Sequence, residues 1–153
     1  MNHIQRFFAK VTTYQNQNIN LPQRQTKTSA GYDLEAAQNI DIPPQTIKLV
    51  PTGIKAFFAP NEVLLIYARS SLSLKKQLML ANGVGVIDSD YYNNPQNEGH
   101  IFIPLYNFSS QTVTITKGER IAQGIFQTFN LSTEEQKEPS FVRQGGFGST
   151  TKI

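Results

Sequence analysis

Short apolar segments at period two, each closed by a turn signal, constrain this chain more than any other feature. Residues 4–13, 46–58, 62–67, 100–106, 111–116 and 121–129 read as strands. Pro43-Pro44, Ala59-Pro60-Asn61, Tyr92-Asn93-Asn94-Pro95, Ser109-Ser110 and Lys117-Gly118 separate them. Many short strands at this spacing predict an all-β sandwich or barrel. Residues 70–80 are the exception. A Ser that can cap, followed by Leu and Lys, predicts a helical turn there. With 153 residues and no visible linker or repeat, the chain forms one domain large enough for a real core.

The tail reads Arg143-Gln144-Gly145-Gly146-Phe147-Gly148-Ser149-Thr150. Glycine lets backbone N–H groups approach an anion closely, and Arg, Ser and Thr donate to phosphate oxygens. Phe147 offers a flat face on which a base can stack. The segment therefore has parts suited to both ends of a nucleotide. The alternative is a plain flexible Gly/Ser tail, although such tails rarely hold an Arg and a Phe in the glycine run. Residues 134–140 are polar with one Pro and read as a spacer. The expected division is a β domain over 1–140 and a glycine-rich arm over 141–153.

Charge narrows the partners. Charged residues make up 16% of the chain and the net charge is +3. Lys75-Lys76 is the only adjacent basic pair, which is poor for a nucleic-acid-binding face and better for a small polyanion held by a few cations. The chain has no Cys, so disulfides and thiolate metal sites are excluded and a reducing, cytoplasmic setting is expected. No apolar run approaches a membrane span, and no signal-peptide pattern is seen. His3 and His100 are the only histidines and lie far apart, which argues against a His-based zinc site or a Ser-His-Asp triad. A metal, if used, is expected to be a hard ion bound through oxygens, such as Mg²⁺.

Gly83-Val84-Gly85-Val86-Ile87-Asp88-Ser89-Asp90-Tyr91 runs from apolar residues and glycines into a close Asp pair. Two glycines weaken a strand, so a tight bend or a ligand against the backbone is implied. Asp88 would leave the strand beside an apolar wall, where a carboxylate can hold a water and accept its proton. Asp-Ser-Asp is also ordinary Asx-turn chemistry, and both readings stand at this level. Tyr67-Ala68-Arg69-Ser70-Ser71 is either a phosphate site at a helix N-terminus or a simple cap with a solvated Arg.

In order, five segments resemble the motifs of the trimeric deoxyuridine triphosphatase (dUTPase) family. They are Ala30-Gly31-Tyr32-Asp33, Arg69-Ser70-Ser71, Gly85-Val86-Ile87-Asp88-Ser89-Asp90-Tyr91, Gly118-Glu119-Arg120-Ile121-Ala122-Gln123, and Arg143 with 145–150. Each is modest alone; all five in order are specific. The resemblance implies a jelly-roll-like β domain, a homotrimer and three active sites at subunit boundaries. It implies a β-hairpin pocket for uracil over 82–91. Asn82 and the backbone of Gly85, Val86 and Ile87 would read the base there, with Tyr91 packed under deoxyribose. Asp88 matches the water-activating carboxylate, the water attacking the α-phosphorus of dUTP. Asp33 matches the acid that supports Mg²⁺ through water. Arg69, Ser70, Ser71 and Gln123 match phosphate positions. Arg143, Gly148, Ser149 and Thr150 match phosphate contacts of a closing arm, with Phe147 over the base. A neighbouring subunit usually supplies that arm.

The chain departs from many relatives in two places. A polar loop, residues 92–99, follows Tyr91 where Arg-Gly and a strand are common. One residue separates Arg143 from Gly145 where two are usual, and Thr151 stands where glycine is common. Two alternatives come with these features. A deoxycytidine triphosphate deaminase would share the scaffold, but Asp88-Ser89-Asp90-Tyr91 replaces the Asp-Pro-Gly-Trp-like segment expected of one. A nucleotide-switched regulator would use the extra loop to bind a protein partner.

Overall fold

Period-two alternation becomes strand wherever one set of side chains can reach the core. In the computed structural model, which describes residues 3, 5–135 and 137–151, eleven strands and one α-helix are found. β1 (Phe7–Lys10) pairs with β5 (Ile54–Phe57), and β3 (Ile40–Ile42) pairs with β10 (Val113–Ile115). A four-stranded sheet has the order β2 (Tyr32–Glu35), β11 (Arg120–Thr128), β6 (Glu62–Tyr67), β8 (Gly85–Asp88). A three-stranded sheet has the order β4 (Ile47–Pro51), β9 (Phe102–Asn107), β7 (Leu78–Leu80). Every pairing is antiparallel. This is the jelly-roll-like sandwich expected; no sheet closes into a barrel among the described residues.

One core joins the layers. Leu34, Leu64 and Ile121 from the four-stranded sheet meet Val50, Leu78, Ile103 and Leu105 from the three-stranded sheet, with Ile42 and Ile115 from the β3–β10 pair. Each such side chain contributes about 1.5–3 kcal/mol when fully buried. Asn107, fully buried at the end of β9, spans the layers without an orphaned atom. Its amide donates to the carbonyls of Ile42 (2.8 Å) and Gln111 (2.7 Å), and its carbonyl accepts from the Ser109 N–H and hydroxyl.

Several boundaries differ from expectation. The strand expected over 46–58 is two strands, because Thr52-Gly53 turns the chain. Gly53 has φ +73°, and the Thr52 hydroxyl is tied to the Ile101 carbonyl at 2.7 Å. Of 4–13, only Phe7–Lys10 is strand; a 3₁₀ turn takes Thr12–Tyr14, and Ile4 lies outside the described residues. The helix α1 (Ser70–Lys76) stops well short of residue 80. Gln77 enters the left-handed region at φ +54° and donates to Ser73, after which buried Leu78 and Leu80 alternate with exposed Met79 as strand. No Ser caps α1: the cap position is Arg69, with no side-chain bond. The spacer over 134–140 includes Gln136, which lies outside the described residues.

Candidate active site

A β-hairpin was expected over 82–91; of that span only β8 is strand, and among the described residues it does not pair with the preceding β7. β7 joins β9 in one sheet and β8 joins β6 in the other. The turn between them, with Gly83 at φ +73°, therefore spans the opening between layers. Gly85 lets β8 approach β6: a methyl there would sit 3.0 Å from Ile66 Cβ. Between the diverging strands lies a cavity of about 160 Å³. Asn82, Gly85, Val86, Ile87, Asp88 and Tyr91 border it, backed by Ile101–Pro104 on the β9 side. Small-molecule sites usually measure about 300 to 1,000 Å³, so this cavity takes a ring rather than a whole nucleotide. β8 is an edge strand, and the backbone groups on its free side are available to such a ring.

Tyr91 anchors the mouth. Its buried hydroxyl donates to the His100 carbonyl at 2.6 Å and accepts from the Asn97 amide at 2.9 Å. Burial pushes the phenol pKa up, so it stays a donor. Asp88 is half exposed at the end of β8. It is not the capping residue of an Asx turn: the 3₁₀ turn after it carries no side-chain cap bond. Its carboxylate instead receives the Arg143 guanidinium at 2.6 Å, and the same guanidinium reaches Asp90 at 2.7 Å.

The glycine-rich tail thus lies over the cavity. Gly146 packs on the Tyr91 ring, where a methyl would come within 2.7 Å. Phe147, with φ +52°, borders the cavity and meets Phe102 edge-on at 6.3 Å. Gly148 has φ +91°, and the Ser149 hydroxyl is buried without a partner among the described residues. Thr150 is exposed. The tail that covers this cavity is the chain's own, where the family resemblance implies a neighbour's.

A second group of candidates forms elsewhere. Asp33 on β2 faces Arg69 (3.3 Å) and Arg120 (3.9 Å). Asp33, Arg69, Ser70 and Gln123 line one hollow with Gly31, whose Cβ would overlap the Gln123 amide. The Gln123 amide donates to the Ala68 carbonyl at 3.1 Å. Ser71 turns to an adjacent basic hollow with Lys75, Lys76 and Arg120. Gly148, Ser149 and Thr150 border neither of these hollows.

The two groups are far apart. β2 and β8 are the outer strands of the four-stranded sheet, three strand spacings from each other. Asp88 is level with Val63, whereas Asp33 is level, through Gln123, with Tyr67, four residues along β6. At about 4.8 Å per strand and 3.3 Å per residue, the separation is roughly 19 Å.

Sequence reasoning missed Phe102 and Pro104, the far wall of the cavity, and Gln96, which touches the tail. It also missed the Arg120 approach to Asp33. None carries a local signal, since each is brought in by strand pairing or by a loop returning from elsewhere.

A profile of the dUTPase family matches residues 17–151. The deoxyuridine 5'-triphosphate nucleotidohydrolase of Lactococcus lactis is 52% identical over 145 residues, covering 95% of this chain and 97% of that protein. The crystal structure of dUTPase from Streptococcus mutans is similar with a TM-score of 0.79 at 50% identity, over 82% of this chain and 98% of that one. A mutant dUTPase from phage phi11 of S. aureus, whose structure details the coordination of a structural Mg(II) ion, shares the fold. Its TM-score is 0.71 at 20% identity, over 89% of this chain and 98% of that one.

Proposed function

We propose, because this chain belongs to the dUTPase family, that it splits dUTP into dUMP and pyrophosphate. Asp88 carries the reading: a carboxylate ends an edge strand whose free side walls a ring-sized cavity. The uracil enters between β8 and β9, and the free backbone edge of Gly85–Asp88, with Asn82, reads its polar rim. Cytosine reverses the donor and acceptor order and would leave buried groups unpaired. Tyr91 packs under the sugar. Asp88 takes a proton from a water, the water oxygen bonds to the α-phosphorus, and the bond from that phosphorus to the α,β-bridging oxygen breaks, so that pyrophosphate leaves with that oxygen. Residues 141–153 act as an arm over this site, with Lys152 and Ile153 outside the described residues. Arg143, Ser149 and Thr150 meet the phosphates as the arm closes, and Phe147 covers the base.

The phosphates need Asp33, Arg69, Ser70 and Gln123. A triphosphate cannot bridge roughly 19 Å of sheet, so one chain holds two halves of different sites. This supports the homotrimer, with each site completed by a neighbour. Val84 and Val86 are exposed beside Asp88, and Ile47, Leu49 and Met79 are exposed on the three-stranded sheet, which suits contact with another copy.

Magnesium fits as an ion carried by the substrate. Among the described residues no three His, Asp or Glu gather as a cage, and Asp33 is one carboxylate beside two arginines. Mg²⁺ keeps waters and takes phosphate oxygens with one or two carboxylates, so Asp33 would hold it through water. When bound, the ion neutralises charge on the polyphosphate.

dUTPase membership displaces the deaminase alternative. Control by a protein partner is a second reading, supported by the 92–99 loop, where arm contact reaches the surface. A partner that binds equally well with and without the arm would end it. The main reading is tested with purified protein, Mg²⁺ and a panel of deoxynucleoside triphosphates, scoring pyrophosphate. Selective cleavage of dUTP is expected, with Asp88→Asn slowed at least ~100-fold while still binding nucleotide. Equal cleavage across the panel would overturn it.

A further inference from the structure

The 92–99 loop is not a slack insertion. Asn94 is buried and donates to the Tyr91 carbonyl (2.7 Å) and to Asn97 Oδ1 (2.7 Å). Its own Oδ1 accepts from the N–H groups of Gln96 and Asn97. Asn97 returns to the Tyr91 hydroxyl and to the Gly99 N–H. Gly99, at φ +85°, sits where a methyl would come within 2.7 Å of the Tyr91 carbonyl oxygen. From outside, Lys55 clamps Asn93 Oδ1 (2.7 Å) and Glu98 (2.8 Å), and Glu98 accepts from the Thr12 N–H at 3.0 Å. Residues with positive φ, Asn93 and Glu98, close the loop through the Asn93 N–H and the Glu98 carbonyl. Such a loop has already lost its conformational entropy and can serve as a fixed surface.

What it presents is Gln96. The Gln96 N–H donates to the Gln144 carbonyl at 3.0 Å. The Gln96 side chain lies against buried Gly145, where a methyl would fall within 2.6 Å of its Cδ and 2.9 Å of its Cβ. The neighbours on each side of this contact face the proposed chemistry: Arg143 on Asp88, and Gly146 and Phe147 on Tyr91 and the cavity.

We propose that the 92–99 loop is the dock of the arm, and that Gln96 is a positioning residue that sets where Phe147 and Arg143 come to rest. This rests on the reading that arm closure serves dUTP hydrolysis. The main-chain bond fixes the arm along its length, and the packing of Gly145 on Gln96 fixes its height above the cavity. The glycine at 145 is there for the Gln96 side chain rather than for a turn.

The test is a double-mutant cycle in the full-length protein, with Gly145→Ala, Gln96→Gly and both together, measured for kcat and KM with Mg·dUTP. A misplacement of about 1 Å can cost a hundredfold, so Gly145→Ala is expected to lower kcat/KM by roughly tenfold or more. Gln96→Gly alone should also lower kcat/KM, because the arm loses its stop, and the double variant should recover most of both losses, because the methyl added by Gly145→Ala occupies space that Gln96→Gly vacates. A Phe147→Trp background gives an independent readout, since the chain has no other Trp. Its fluorescence change with α,β-imido-dUTP should shrink in Gly145→Ala and return in the double variant. A neutral Gly145→Ala, or a double variant no better than Gly145→Ala, overturns the dock. Truncation after Ser140 with the rate intact overturns the arm reading beneath it and is a separate result.

Discussion

His100 shows how a single residue couples stability to the site. It is buried, its Nε2 accepts from the Gly53 N–H at 2.8 Å, and its ring lies 4.1 Å from that of Phe102 on the cavity wall. Burial lowers its pKa from 6.5 to about 4, partly offset by the Glu98 charge. The unfolded chain therefore binds the proton first. Stability contributed by neutral His100 is complete above about pH 6.5 and is lost as pH falls toward 4, by roughly 3 kcal/mol in total. His100→Gln keeps an acceptor for Gly53 but no titration. Urea melts between pH 7 and 4 should show the acid decline in wild type and a flatter profile in His100→Gln. From sequence His100 was only a histidine too isolated for zinc or a triad; its acceptor role needed Gly53, 47 residues away. The apolar run ending in Asp88 made that residue a candidate from sequence beside the Asx-turn reading, and only the family resemblance chose between them. Its contact with Arg143, 55 residues on, was not legible.

At the scale of elements, alternation found what local pattern can find. Glu62–Tyr67 lies where expected, and Arg120–Thr128 and Val113–Ile115 fall within a residue or two of it. Ile40–Ile42 was not expected as strand; the other errors are at junctions, where tertiary contacts decide which way the chain turns: Thr52-Gly53, Gln77, and the expected 82–91 hairpin, which gives way to a divergence of β7 from β8. That divergence makes the cavity. Gly85 is its hinge point, because β8 must approach Ile66 while leaving β7. Gly85→Ala places a methyl 3.0 Å from a branched Cβ that cannot swing away. Overpacking of this kind costs about 1–3 kcal/mol. The thermal midpoint should fall and KM for dUTP should rise. A Gly85→Ala variant with unchanged midpoint and KM would mean that β8 has room to spare.

For the whole molecule, the decisive fact is that Asp33 and Asp88 occupy opposite edges of one sheet. Complementation tests the consequence. Asp33→Ala and Asp88→Asn subunits are each expected to be nearly inactive alone. If a site takes Asp33 from one copy and Asp88 from another, random mixed assembly restores about a quarter of wild-type sites. If one copy supplies both, mixing restores nothing, and the shared-site reading fails.

The sequence by itself determined the all-β class and the family, because period-two alternation and the order of the motifs are both written along the chain. Only the tertiary structure decided that the pocket opens between two sheets, that the 92–99 loop meets the arm, and that the site residues fall into two groups. Those facts depend on which distant strands pair and in what register, and backbone hydrogen bonds between distant segments leave no mark in the local pattern.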